Sequence, residues 1–175
     1  MSLTELKAKN KYLLPVPKGS ITKIVKGESK ESPAHIDGRK NNPPFGDERR
    51  SVDFYCSEKT PIFAAQKGVI VWVKDDSNEG GKDPKYINKS NSISILHKNK
   101  EFTNYLHLQY KGILVKKDQK VRKGELIGYV GATGWTPAPH LHFSVLKVYG
   151  KNPFVDYETL EFNLEDMLKQ RNIVG

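Results

Sequence analysis

Two histidines one residue apart, His140 and His142, follow the glycine- and proline-rich segment Gly131-Ala-Thr-Gly-Trp-Thr-Pro-Ala-Pro139. Successive side chains of a β-strand point to opposite faces, so both imidazoles share a face with Ser144, while Leu141, Phe143 and Val145 share the other. One face packs and the other is left for chemistry. Imidazole is the commonest metal ligand among side chains and titrates near neutral pH, so His-x-His on a strand points to metal binding; a pair of surface histidines is the plain alternative. Upstream, Asp53 stands between Val52 and Phe54, two residues suited to a core, which projects its carboxylate from the opposite strand face. In Asn104-Tyr-Leu-His-Leu108 the alternation places His107 on the polar face. A lone Asp or His in a strand is ordinarily hydrogen-bonded structure. Three strands that each offer such a group make a candidate site.

Together these segments resemble the lysostaphin/LytM-type zinc metallopeptidases that cut peptidoglycan peptides. The resemblance rests on Gly131-Ala-Thr-Gly134 with Pro139-His-Leu-His-Phe143, on Tyr105-Leu-His-Leu108, and on the Asp53-Phe54 strand running into Thr60-Pro-Ile-Phe-Ala-Ala-Gln-Lys-Gly68-Val-Ile-Val71. It covers about Leu14 to Pro153, with Leu14-Pro-Val-Pro17 and Val121-Arg-Lys-Gly-Glu-Leu-Ile-Gly128 inside it. It implies one zinc ion per chain, with Asp53 and His142 as ligands and His107 and His140 in catalysis. In many members the third ligand is a histidine four residues before the aspartate. Here that position is Arg49, and arginine has no lone pair to give. A related subgroup, which this chain resembles more closely, places the histidine farther upstream, after a glycine in a segment like Ile24-Val-Lys-Gly27; that pattern implies His35. The 17 residues between His35 and Asp53 are no obstacle, because the entropy of closing a loop grows only logarithmically with length. With His35 in solvent instead, the site would lack a ligand.

Three protein ligands and an open fourth position are the catalytic form of a zinc site. The resemblance therefore implies a zinc-activated water, with a pKa lowered toward about 7, attacking amide bonds in peptidoglycan cross-links or stem peptides. His107 and His140 would orient or deprotonate that water, stabilise the oxyanion or protonate the leaving amine. Peptidoglycan is the expected partner, and the expected location is extracytoplasmic: periplasmic, secreted or wall-associated. A second reading keeps the fold and removes the metal. Relatives that have lost ligands act as cell-wall binding modules or amidase activators; Arg49 admits this reading, while His107, His140, His142 and Asp53 argue against it.

The elements that must position these groups read as short strands over about 51–55, 61–65, 68–74, 92–97, 101–107, 125–130 and 141–148, with no helical periodicity between them. That spacing predicts a mainly β fold, an antiparallel sandwich or barrel, which the resemblance refines to the lysostaphin-type (duplicated hybrid motif) kind. Biotinyl and lipoyl carriers share the Val-x-x-Gly look of 121–124 but carry no His-x-His strand. We expect a polar N-terminal lead-in over 1–30, a β domain over 31–157 and a helical C-terminal extension over 158–175. Residues 31–50 read as irregular loop. Leu164, Met167 and Leu168 lie at helical spacing after a possible Asn163 cap, predicting a helix over 163–172. The polar connection 75–90 reads as mobile; the resemblance implies that it walls the substrate groove, a disordered tip being the plain alternative, and Trp135 is placed to touch substrate. His97 and Cys56 read as packing residues, and Trp72 as core or sheet surface rather than a ligand platform.

At 175 residues the chain is long enough for one domain with a sizeable core. Lysine and arginine number 29 against 20 acidic residues, a net charge of +9 with a pI near 9.5. Such a charge draws polyanions; anionic cell-wall polymers fit, and no recognised nucleic-acid motif accompanies the scattered basic residues. One cysteine allows no intrachain disulfide. No signal-peptide core and no run of about 20 apolar residues is present, so any export segment is expected to precede this sequence, and Met1-Ser-Leu3 reads as a vector-derived remnant.

Overall fold

The computed structural model describes residues 6–170; Met1–Leu3, Arg171 and Asn172 lie outside that range. The chain forms β1 (Lys23–Lys26), β2 (Val52–Tyr55), β3 (Pro61–Phe63), β4 (Gly68–Lys74), β5 (Gly80–Gly81), β6 (Ser92–Leu96), β7 (Phe102–Leu106), β8 (Leu108–Ile113), β9 (Lys120–Val121), β10 (Leu126–Val130), β11 (Gly134–Trp135), β12 (His140–Val148), β13 (Tyr157–Thr159) and one helix, α1 (Leu164–Lys169). The large sheet has the order β1-β2-β12-β7-β6-β4-β9, with β13 also on β12; β3-β10-β8 form a second sheet, and β11 pairs with β5. The two larger sheets are antiparallel throughout.

Alternation explains which residues fill the core. In β6 Ile93 and Ile95 are buried and alternate with half-buried Ser92, Ser94 and Leu96, and β7 buries Thr103 and Tyr105 in the same rhythm. From the large sheet Val52, Phe54, Ile70, Leu141, Phe143 and Val145 face the same core, met by Ile62, Leu108, Ile127 and Val130 of the small one. Phe143 contacts Phe54, Tyr105 and Phe162 edge-on or tilted, and each such aromatic stabilises the fold by about 1.5–3 kcal/mol through burial. This layer holds the other face of β2 and β12 in place.

From residue 6 onward the expected lead-in is extended but firmly packed. Tyr12, Val16 and Val25 are core residues, the Tyr12 hydroxyl donates to Glu101 Oε2 at 2.7 Å, and β1 pairs with β2 residue for residue, Val25 opposite Asp53. Strands β1 and β8 did not stand out in the sequence. Each lies at a sheet edge, and β8 (Leu-Gln-Tyr-Lys-Gly-Ile) exposes Tyr110 and Lys111 with no period-two pattern. The C-terminal helix begins after Asn163, whose side chain accepts from the Asp166 amide at 2.9 Å, and it buries Met167.

Candidate metal centre

Register puts two of the candidate residues face to face. In the β12–β2 pairing His142 lies opposite Asp53 and His140 opposite Tyr55, so the imidazole of His142 and the carboxylate of Asp53 project together from the face away from Phe143 and Phe54. His35 joins them from the loop after β1. Gly27, with φ +66°, turns the chain, successive turns bring the His35 amide onto the Ser32 carbonyl at 3.0 Å, and the amide of Glu48 bonds the Ile36 carbonyl at 2.9 Å. That last bond, with the Asp37–Asp47 bridge, closes the intervening loop on itself. The insertion is thereby a self-contained excursion whose base delivers His35 to β2.

Three donor atoms converge. Asp53 Oδ1 lies 2.9 Å from His142 Nδ1 and 3.1 Å from His35 Nε2, and the two nitrogens are 3.2 Å apart. All three residues are buried, His35 completely. Tetrahedral bonds of about 2.0–2.1 Å place neighbouring donors about 3.3 Å apart. Nitrogen and carboxylate donors at this spacing fit a zinc ion. The remaining atoms are committed elsewhere: Ser32 Oγ donates to Asp53 Oδ2 at 2.6 Å, and His35 Nδ1 faces the Gly27 carbonyl at 2.9 Å. A carbonyl only accepts, so the proton of His35 sits on Nδ1 and the lone pair on Nε2.

The same device orients the other two histidines. His140 Nδ1 donates to the Ala138 carbonyl at 2.9 Å, leaving Nε2 3.5 Å from Asp53 Oδ1. His107 Nδ1 donates to the Thr133 carbonyl at 2.8 Å, and its ring centroid lies 4.6 Å from that of His140 and 6.0 Å from that of His142. Strict alternation would have set His107 beside Tyr105, in the core. Its φ of +65°, uncommon outside glycine but tolerated by histidine, breaks the alternation where the chain passes from β7 to β8, and Ser90 Oγ holds its amide at 2.9 Å. A corner, rather than a strand face, therefore presents His107 to the site.

Burial and charge act on these groups in opposite directions. Burial holds the His107 imidazole well below its usual value, aided by the neighbouring His140 and His142, so it is neutral at neutral pH. Burial alone would raise the Asp53 carboxyl, but the imidazoles of His140, His142 and His35 gathered round it outweigh burial and keep the group ionised far below the usual carboxylate range. For His142 burial is likewise outweighed: carboxylates at both ring nitrogens, Asp53 and Glu48, raise it to about 10.

Arg49 turns away. Its guanidinium is 41% exposed and pairs with Asp47 at 2.7 Å. The 75–90 connection, expected to be mobile, is instead anchored: β5 pairs with β11, Trp135 Nε1 donates to the Lys82 carbonyl at 3.0 Å, and Pro84–Lys89 form a short 3-10 helix. Its Ile87 and Asn88 line a groove with Pro44, Phe45, Trp135 and Tyr157 that opens on His107 and His142. Trp72, read as core or sheet surface, lies partly exposed on the sheet surface against Phe154, farther along this groove. His97 does pack, bonding Lys67 O and Thr103 Oγ1, and Cys56 is buried. Sequence reasoning missed Glu48, Ser32 and Tyr157. Glu48 in particular sits in Asp47-Glu-Arg-Arg50, a run that reads as a solvated charged surface.

The fold agrees with known proteins. The model of peptidase family M23 matches residues 47–155; this chain belongs to that family. His35 lies outside the matched residues, and Arg49 falls inside them. Over 106 residues, 59% of this chain and 22% of the relative, it is 39% identical to the peptidoglycan DD-endopeptidase ShyC of Vibrio cholerae; over 95 residues, 54% and 19%, it is 37% identical to the peptidoglycan DD-endopeptidase ShyA of the same organism. The chain thus spans about a fifth of the length of the curated relatives it matches. A zinc-containing peptidase from Vibrio cholerae superposes with a TM-score of 0.54 at 31% identity, covering 78% of this chain and 36% of that one. Lysostaphin from Staphylococcus simulans superposes at 0.57 with 25% identity, covering 87% and 52%. The mainly β, lysostaphin-like architecture expected from the sequence is the one found.

Proposed function

We propose that this chain is a zinc-dependent endopeptidase domain that hydrolyses amide bonds in peptidoglycan cross-links or stem peptides, acting outside the cytoplasm. The observation that carries this reading is the convergence of His35 Nε2, Asp53 Oδ1 and His142 Nδ1 beside two histidines whose Nδ1 protons are committed to backbone carbonyls. His35, Asp53 and His142 would hold the metal. Bound zinc supplies a Lewis acid for the scissile carbonyl and lowers the pKa of a water. His107 and His140 keep Nε2 available to accept a proton from the attacking water and return it to the leaving amine. The groove walled by Phe45, Ile87 and Trp135 receives the peptide, and the basic surface favours an anionic wall. Full assembly of the site on this chain favours the enzyme over a metal-free binding module.

Purified peptidoglycan incubated with the zinc-loaded protein is expected to gain free amino groups and no new reducing sugar ends. Reducing ends without amines would overturn the peptidase reading, and release of neither, with wall binding retained, would restore the binding module.

The charge state of His142 gives a pH dependence. Its raised pKa of about 10 means that below that pH Nδ1 carries a proton, which zinc must displace before the nitrogen can serve as a ligand. The sign is therefore that zinc affinity rises with pH, by about tenfold per unit between about pH 7 and 9 for the release of one proton. A chelator-competition titration reads this directly; a flat profile would contradict it.

A further inference from the structure

Three of the four histidines at the site, His35, His107 and His140, have Nδ1 fixed by a backbone carbonyl. His142 differs. Its Nδ1 is the nitrogen turned to Asp53 and His35, and its Nε2 lies 3.3 Å from Glu48 Oε2. Glu48 is only 5% exposed, and its carboxylate is itself held by two hydroxyl donors, Ser51 Oγ on Oε2 and Tyr157 OH on Oε1. Tyr157, in β13, is buried as well. A buried carboxylate costs far more than a buried apolar residue unless it has work for its lone pairs, and here every neighbour in hydrogen-bond range is a donor.

The geometry points to Glu48 as the positioning residue of the proposed metal centre: it accepts the Nε2 proton of His142, and so directs the Nδ1 lone pair at the point shared with Asp53 Oδ1 and His35 Nε2. This rests on the zinc reading above. Glu48 is not itself a ligand or a base, because it meets the far nitrogen of His142, on the side away from Asp53. A ligand histidine commonly gives its second N–H to such a partner, and losing that partner weakens metal binding about 10- to 100-fold. Backbone carbonyls do this for His35; at His142 a side chain does it, and a substitution can remove it. Glu48 stands one residue before Arg49, so the segment that lacks a histidine ligand still serves the site from behind.

The test is zinc affinity by chelator competition on the whole chain, with circular dichroism to verify folding. Glu48→Ala is expected to weaken zinc binding about 10- to 100-fold. Glu48→Gln preserves volume, and its amide oxygen can still accept the Nε2 proton, so it should restore much of that loss and remain folded even if the alanine variant does not. In nitrogen-15 spectra of the zinc-loaded protein the His142 Nε2–H signal should be present in the wild type, shift in Glu48→Gln and broaden by solvent exchange in Glu48→Ala. A purely structural role would move neither the spectrum nor the affinity of a folded variant. Wild-type affinity in folded Glu48→Ala, or an unmoved His142 signal in Glu48→Gln, would overturn the assignment. Should His142→Ala also bind zinc like the wild type, the metal reading itself would fall; zinc lost in His142→Ala and unchanged in the Glu48 variants would overturn the role of Glu48 alone.

Discussion

Replacing His35 by alanine is expected to abolish zinc binding and peptidoglycan cleavage as completely as replacing His142, while Arg49→Ala leaves both near the wild-type level. The contrast follows from where the two side chains go. His35 Nε2 is 3.1 Å from Asp53 Oδ1 and 3.2 Å from His142 Nδ1; without it only two protein donors remain, too few for a site of this kind. Arg49 occupies the position where many relatives of this type have a histidine, yet its guanidinium, 41% exposed, turns to the buried carboxylate of Asp47 and supplies no atom to the donor triangle. Asp53→Ala belongs with the His35 variant. Metal analysis of purified proteins checks the set, and full zinc occupancy in either the His35 or the Asp53 variant would contradict the assignment.

His107→Ala is expected to do the opposite: retain zinc and lose turnover by about 10²- to 10⁴-fold, the usual range for a positioned proton-transfer group. The imidazole contributes no atom to the donor triangle, and burial keeps it neutral, ready to take a proton. His140→Ala should behave similarly, since its Nε2 stands 3.5 Å from Asp53 Oδ1, outside that triangle. Rates on peptidoglycan beside zinc content separate the roles, and a His107 variant that loses metal would move this residue from catalysis to structure.

Much of this was written in the sequence, for identifiable reasons. Strand β12 announces itself because its apolar face, Leu141, Phe143 and Val145, is unbroken while His140 and His142 alternate with it. Asp53 was legible in the same way between Val52 and Phe54. The structure brings His107 beside His140 and His142, but not for the geometric reason the sequence offers: the alternation argument fails at a positive-φ corner, a feature no periodicity encodes. His35 came from resemblance alone; nothing in its neighbourhood marks it, since the bond from the Glu48 amide to the Ile36 carbonyl that seats it joins residues on either side of a loop. Glu48 was invisible because charge runs ordinarily face water, and only the return of Tyr157 in β13 encloses it. The 75–90 connection looked mobile for its polarity, whereas two glycines at 80–81 let it pair with Gly134–Trp135.

The most direct measurement is an anomalous-difference map collected above and below the zinc absorption edge on crystals of the zinc-loaded protein. One zinc peak per chain is expected, with His35 Nε2, Asp53 Oδ1 and His142 Nδ1 about 2.0–2.1 Å from it. A peak completed by another residue or by water, with the His35 imidazole turned into solvent, would contradict it.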